Sequence, residues 1–162
     1  MKIMIIPSSY PDNDCTTKNV FIYEQANELM KHGHDVRVLN VQKQPSKNFI
    51  GRINRNIVHK EDYLGNRFIL KEKTFMEKQF PTIHRDKFFR DMQKLYIRAT
   101  EDGWKPDVIY SHFSCWAGYA AVKIGKQYMV PVVNIEHYSG FVHGKVTDTA
   151  RNGLRYVYEN AE

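Results

Sequence analysis

Residues 106–141 read PDVIYSHFSCWAGYAAVKIGKQYMVPVVNIEHYSGF and carry the clearest structural signal in the chain. Two short apolar runs, Asp107–Tyr110 and Val130–Ile135, are separated by a helical pattern, which predicts a βαβ unit with two buried strands. In open α/β sheets, ligands bind beyond the carboxyl ends of such strands. Both runs are followed by a histidine, His112 and His137, so the pattern predicts one crevice lined by two imidazoles.

A second unit of the same kind is predicted at the N-terminus. Lys2–Pro7 is an apolar strand, Val20–Lys31 has apolar residues at helical spacing, and His34–Val41 is a second strand. Gly33 is placed to end the helix. Because βαβ crossovers are right-handed, the two units predict an α/β, Rossmann-like doubly wound sheet, mostly parallel, with helices on both faces.

The remaining segments are expected to complete this sheet. Ile57–Lys73 alternates around the turn dipeptide Gly65–Asn66, which predicts a hairpin or meander. Helices are predicted over Thr82–Glu101 and Thr147–Glu162. A length of 162 residues fits a single domain.

Composition excludes several classes of protein. Apolar residues make up 42% and charged residues 26%, and no apolar run approaches the ~20 residues of a membrane helix. The net charge is +6, but the basic residues between 43 and 94 form no dense run, which argues against a nucleic-acid partner. An anionic ligand or a membrane surface stays open as the partner of this basic chain. Cys15 and Cys115 lack metal or redox spacing, so a cytoplasmic location is expected.

Several common sites lack their motifs. The first glycine is Gly33, so no glycine-rich phosphate loop follows the first strand, which argues against a nicotinamide dinucleotide. There is no Walker loop and no G-x-S-x-G nucleophile elbow. Neither H-E-x-x-H nor H-x-x-E-H occurs, so neither a metal nor a bound cofactor is expected.

The loop after the second strand of the βαβ unit holds the strongest candidate. His137 precedes Tyr138, Ser139 and Gly140, and the glycine permits close approach of the backbone to a ligand. The alternative is a histidine that hydrogen-bonds within its own loop. Glu136 either sets the tautomer of the imidazole or is a solvated strand end.

Further candidates lie at the ends of neighbouring strands. His112 is either a ligand-binding residue or a partly buried support for the next helix. Ser8, Ser9 and Tyr10 follow the first strand, so they either line the same crevice or form an ordinary loop. Asn19 opens the first helix, whose N-terminus favours anions.

Four segments of the chain resemble the N-terminal domain of family 4 glycosyltransferases, which have the GT-B fold. They are MKIMIIPSSYP (1–11), NVFIYEQANELMKHGHDVRVLNV (19–41), PDVIYSHF (106–113) and VPVVNIEHYSGF (130–141). The second is similar to the family's G-x-F-x-x-E-Q helix and G-H-x-V-x-V strand, and the last to its I-P-x-V-x-x-E-H-x-x strand and loop. Asn19 replaces the loop glycine, but asparagine tolerates left-handed dihedrals, so the turn is expected to survive.

The resemblance implies an acceptor-binding domain over residues 1–162, which faces a C-terminal donor-binding domain that lies outside them. It implies a retaining glycosyltransferase of polysaccharide or lipopolysaccharide biosynthesis that needs no metal, with a nucleotide sugar as co-substrate and a glycan or lipid-linked acceptor. His137 would be the catalytic residue, near the anomeric carbon, and the 14–19 loop would meet the acceptor or the donor phosphates. The substrate-binding residues would be Ser8, Ser9, Tyr10, Asn19, His112, Glu136, Tyr138, Ser139 and Gly140. The isolated domain is expected to be inactive.

Two other functions stay open. A GT-B nucleotide-sugar epimerase would release a changed nucleotide sugar without an acceptor. A non-catalytic Rossmann-type module would bind a ligand without turnover. Peripheral docking at the inner face of the membrane also stays open, because basic side chains near an anionic leaflet attract it.

Overall fold

The computed structural model describes residues 1–11, 19–45, 57–74, 81–141, 143–144 and 146–161. The strands are β1 (Lys2–Pro7), β2 (Asp35–Pro45), β3 (Ile57–Asp62), β4 (Gly65–Thr74), β5 (Val108–His112) and β6 (Val132–Ile135). The helices are α1 (Val20–Lys31), α2 (Pro81–Ala99), α3 (Tyr119–Tyr128) and α4 (Asp148–Tyr158). The strands form one sheet in the order β3-β4-β2-β1-β5-β6, in which only β3 runs antiparallel to its neighbour.

The sheet separates two hydrophobic cores. Successive strand residues point to opposite faces, so Ile3 and Ile5 pack with α1 on one face. Met4 and Ile6 pack on the other face, in the cluster that contains residues of α2, α3 and α4. The predicted fold class, a Rossmann-like and mostly parallel α/β sheet with helices on both faces, is confirmed.

The strand register brings three strand ends to one level. Pro7 at the end of β1 is paired with His112 at the end of β5, and His112 is paired with Ile135 at the end of β6. The chain leaves β1 toward β2 on one side, and it leaves β5 toward β6 on the other side. This reversal between β1 and β5 is the topological switch point at which open sheets bind ligands.

The hairpin was predicted correctly, but its turn was placed wrongly. The turn is Tyr63–Leu64, and Gly65 is already the first residue of β4, where its φ of +92° favours glycine. Asp62 Oδ1 accepts a hydrogen bond from the Leu64 amide at 3.0 Å and so closes the turn. The local dipeptide signal therefore located the hairpin, whereas an aspartate side chain and a buried Leu64 set the turn itself.

The strand β6 begins two residues later than predicted. The amide of Val130 donates to the Gly125 carbonyl at 2.9 Å, and Met129 has left-handed dihedrals with φ 57°. These are the marks of a helix C-terminus, so Val130 closes α3 and does not start the strand. In the part of the chain that the structure describes, no helix is long and apolar enough to cross a membrane.

Candidate functional site

A cavity of about 410 Å³ lies at the edge of the sheet where β1, β5 and β6 end. Loops that follow all three strands contribute to its wall, together with the N-caps of α1 and α4 and the first turn of α4. The lining residues are Ser8, Asn19, Phe113, Cys115, Trp116, Glu136, Tyr138, Thr147 and Ala150. The cavity therefore lies where the sequence placed the crevice.

The loop after β5 is a distorted helical turn, Ser114–Gly118. Phe113 and Trp116 have positive φ angles of 72° and 71°, which cost about 1–3 kcal/mol each for residues with side chains. Two backbone hydrogen bonds hold the turn, from the Phe113 amide to Ile135 O and from the Gly118 amide to Phe113 O. The turn brings both aromatic residues to the cavity wall.

Glu136 connects the loops that follow β5 and β6. Its Oε2 accepts a hydrogen bond from the Ser114 amide at 2.9 Å. Its Oε1 accepts from the amides of His137 at 2.9 Å and Tyr138 at 2.7 Å. Charge-assisted bonds of this kind are stronger than neutral ones. The carboxylate therefore fixes the backbone around His137, while no described bond joins it to the imidazole ring.

The two histidines are in direct contact. His112 Nδ1 lies 3.1 Å from His137 Nε2, and the ring planes differ by only 7°. His112 is fully buried, and burial, followed by the charge of His137, lowers the pKa of His112 to about 4. The ring of His137 also packs against Phe21 at 4.7 Å and Phe113 at 5.3 Å between centroids. The two predicted imidazoles are thus in contact, but neither is among the residues that line the cavity, and only His137 is partly exposed.

The loop after β1 is joined to the start of α1. Asn19 has left-handed dihedrals (φ 52°, ψ 39°), as expected for the residue that replaces the loop glycine. Its Nδ2 donates to Ser9 Oγ at 2.6 Å, and its carbonyl accepts from the Ile22 amide at 3.0 Å. Ser8 Oγ lies 3.5 Å from the carbonyl oxygens of both His112 and Cys115. Residues 14–18 of the predicted 14–19 loop lie outside the described residues.

Tyr10 does not reach the cavity with its side chain. It is only 3% exposed, and its hydroxyl donates to the Leu64 carbonyl at 3.2 Å. Burial raises the pKa of its phenol. Tyr10 was predicted to line the crevice because it follows the end of β1 closely. Its large apolar ring is instead buried under the neighbouring turn, in the core on the α1 side of the sheet.

The Tyr138–Gly140 loop is tightly folded at the mouth of the cavity. A Cβ atom on Gly140 would lie 2.2 Å from the Tyr138 ring, so a larger residue at this position would displace that exposed ring. Tyr138 is 45% exposed and lines the cavity, and Ser139 is exposed beside it. The glycine thus allows close approach of a side chain of its own loop.

Sequence reasoning missed five residues of the lining: Phe113, Cys115, Trp116, Thr147 and Ala150. Thr147 carried a detectable signal, since it precedes a helical pattern, and its Oγ1 accepts the Ala150 amide at 3.3 Å as an N-cap. Phe113 and Trp116 carried none, because positive φ angles at aromatic residues have no sequence signature.

Burial, and then the charge of Glu136, raises the pKa of Cys115 to about 11, so this thiol is protonated at neutral pH.

Two further features bear on the chemistry. A larger, mainly apolar groove of about 850 Å³ runs beside α1 and over Val108, Tyr110 and Val133, away from the strand ends. Among the described residues, no group of three or more histidine, cysteine, aspartate or glutamate side chains is arranged to hold a metal ion.

Comparison with protein families gives a match. The model of the family described as Glycosyltransferase Family 4 matches residues 19–162. The matched range includes both histidines, the Glu136 loop and all four helices, which is most of the chain. A search of curated proteins found no match.

Proposed function

Because the chain belongs to glycosyltransferase family 4, we propose that it is the acceptor-binding half of a retaining glycosyltransferase. The enzyme moves a sugar from a nucleotide-sugar donor to a glycan or a lipid-linked acceptor. The observation that carries the proposal is the loop after β6, in which Glu136 and Tyr138, on either side of His137, line a cavity at the switch point of the sheet.

The shape and chemistry of the cavity suit a sugar. Ligand sites in proteins are concave and mainly apolar, with a few polar groups that fix orientation. Here Phe113, Trp116 and Tyr138 supply aromatic walls, and Ser8 supplies a hydroxyl. The proposed acceptor lies in this cavity, with the aromatic rings against its apolar surfaces.

Two helix N-termini favour the phosphates of a nucleotide sugar. The helices α1 and α4 both begin at the cavity wall, with Asn19 and Thr147 as their N-caps. Helix N-termini attract anions through free amides and the helix dipole. Within the described residues, the Asn19 side chain forms no capping hydrogen bond with the first turn of α1. The Ile22 amide is bonded to the Asn19 carbonyl, so the amides of Val20 and Phe21 are the ones available to a phosphate.

His137 would act on the transferred sugar. In a retaining transfer with an oxocarbenium-like transition state, the bond to the leaving phosphate breaks as the acceptor oxygen approaches the anomeric carbon. A hydrogen bond from a fixed imidazole to the sugar holds the donor in the reactive geometry and stabilises the charge that develops. The nucleotide would be held largely by a C-terminal domain, so residues 1–162 alone would have negligible activity.

The test uses the complete gene product that contains this chain. It is incubated with a panel of nucleotide sugars and with glycan and lipid-linked acceptors, and the product is analysed by mass spectrometry and by the anomeric configuration in proton NMR. We expect transfer with retention, and loss of about 100-fold or more in turnover for His137→Ala with the fold intact. His143→Ala, at an exposed histidine, is the matched control and should retain full turnover.

Other outcomes would redirect the assignment. Release of a changed nucleotide sugar without any acceptor would identify an epimerase. Ligand binding without turnover, unchanged by His137→Ala, would identify a non-catalytic module.

The proposed location is the cytoplasm, with peripheral contact to the inner face of the membrane. Sedimentation with anionic vesicles in low and high salt tests the contact with the membrane.

A further inference from the structure

The contact between the two histidines restricts the way His137 can carry its proton. His112 Nδ1 and His137 Nε2 are 3.1 Å apart, so one of them donates and the other accepts. No described residue hydrogen-bonds the other ring nitrogen of His137, Nδ1, and the side chain is partly exposed. The Nδ1 atom is therefore the one that a ligand can meet.

The surroundings of His112 select between the two possible arrangements. Its other nitrogen, Nε2, is fully buried and has no hydrogen-bond partner among the described residues. If His137 donated, the proton of His112 would lie on Nε2 and would form a buried N–H group without an acceptor. Such orphaned donors are rare in proteins. The Tyr110 ring, 4.4 Å away, offers at best a weak N–H···π contact, which is a second-order effect.

The alternative arrangement leaves no buried N–H group of His112 without an acceptor. With hydrogen on Nδ1, His112 donates to His137 Nε2, and only a lone pair stays unpaired in the core. His137 Nε2 then has to be an unprotonated acceptor, so a neutral His137 carries its proton on Nδ1. The lowered pKa of His112 keeps that ring neutral at physiological pH.

We propose that His112 is a positioning residue: it holds His137 as the Nδ1–H tautomer and directs that N–H toward the substrate. This inference rests on the proposed function only for the identity of the substrate. Phe21 and Phe113 pack against the His137 ring and restrict its rotation, so the hydrogen bond and the packing define one orientation. His137 then meets the donor sugar as a hydrogen-bond donor, not as a general base.

The first test reads the tautomer directly and needs no activity. Long-range nitrogen-15 NMR spectra of the histidine rings distinguish Nδ1–H from Nε2–H in the purified chain at neutral pH. We expect the Nδ1–H form for both His112 and His137, with His137→Gln and His112→Asn spectra used to assign the signals. A His137 ring protonated on Nε2 would overturn the inference.

Two substitutions of His112 separate a hydrogen bond from packing. In His112→Asn, the amide nitrogen occupies the place of Nδ1 and can still donate, so His137 should stay in the Nδ1–H form. In His112→Leu, the donor is lost, and His137 should become a mixture of tautomers. If His112→Leu folds and His137 keeps a single Nδ1–H form, His112 does not set it. If His112→Leu does not fold, the wild-type and His112→Asn spectra still decide the question.

The second test measures kinetics in the complete gene product. Loss of one hydrogen bond that orients His137 should lower kcat by about tenfold in His112→Leu, with little change in KM, and His112→Asn should restore most of it. An equal loss in both variants would overturn the positioning role. If no sugar is transferred at all, the proposed function fails, whereas the tautomer result in the isolated chain still stands by itself.

Discussion

Mild acid should destabilise the chain through His112 by an amount that the structure allows us to calculate. Burial and the charge of His137 lower the pKa of His112 to about 4, while an unfolded histidine titrates near 6.5. Between these two values the unfolded state binds a proton more readily than the folded state, so stability falls as the pH falls. The loss from His112 alone is about 2 kcal/mol between pH 7 and pH 5, and about 3 kcal/mol by pH 4.

The assay is urea unfolding at about pH 7, 6 and 5, followed by the fluorescence of the two tryptophans, Trp104 and Trp116. The range ends near pH 5 because ordinary carboxylates begin to titrate below it. His112→Asn removes the titrating group and retains the hydrogen-bond donor, so its free energy of unfolding should lose about 2 kcal/mol less than that of the wild type over this range. The matched control is His143→Asn at an exposed histidine, which should follow the wild type.

One result would refute the reasoning. If wild type and His112→Asn lose stability in parallel between about pH 7 and pH 5, the buried imidazole does not stay neutral in the folded state. A wild-type chain that gained stability on acidification relative to the variant would reverse the sign, and would mean that His112 is charged in the fold.

Three substitutions test the packing and hydrogen bonds around the site by urea unfolding. Gly125→Ala should destabilise the chain by about 1–3 kcal/mol, because the new Cβ would lie 2.3 Å from Val132 Cγ2, and this overpacking exceeds the gain in helix propensity. Glu136→Gln should cost about 1–3 kcal/mol, because an amide cannot accept from all three backbone N–H groups. Tyr10→Phe should cost about 1 kcal/mol, since it leaves the Leu64 carbonyl without this donor.

Each of these expectations has an opposing result. Unchanged stability in Gly125→Ala would mean that the strand after α3 can shift to admit a methyl group. For Glu136→Gln, the control is Glu24→Gln at an exposed position on α1, and equal small effects in both would show that the loop carboxylate contributes little. A Tyr10→Phe variant at least as stable as the wild type would show that the hydrogen bond from the Tyr10 hydroxyl does not stabilise the fold.

Much of the fold was predictable because its signals are local. The bounds of β1 and α1 agree with those predicted from apolar periodicity, since the buried face of a strand or a helix imposes its period on the sequence. The left-handed Asn19 was also predictable from the chemistry of its side chain. The errors occur where a side-chain contact or burial decides the local structure, as at the turn before Gly65, which the Asp62 side chain and the buried Leu64 set.

The location of the candidate site was predictable from the sequence, but the arrangement of its side chains was not. Parallel strands have their carboxyl ends at one edge, so the position of His137 followed from topology. The burial of Tyr10 did not follow, because a loop residue after β1 can turn toward the cavity or toward the core. The strained turn at Phe113 and Trp116 depends on hydrogen bonds to Ile135 and within the turn, which no local pattern encodes.

The sequence by itself determined the α/β fold, the two strand ends that carry histidines, and the resemblance to the family. The tertiary structure alone decided which atoms meet: His112 Nδ1 with His137 Nε2, and the Glu136 carboxylate with the Ser114 amide. The physical reason is that periodicity reports which side of an element is buried, residue by residue along the chain. Hydrogen bonds between loops depend instead on strand register and on backbone angles, which are fixed only when the sheet is assembled.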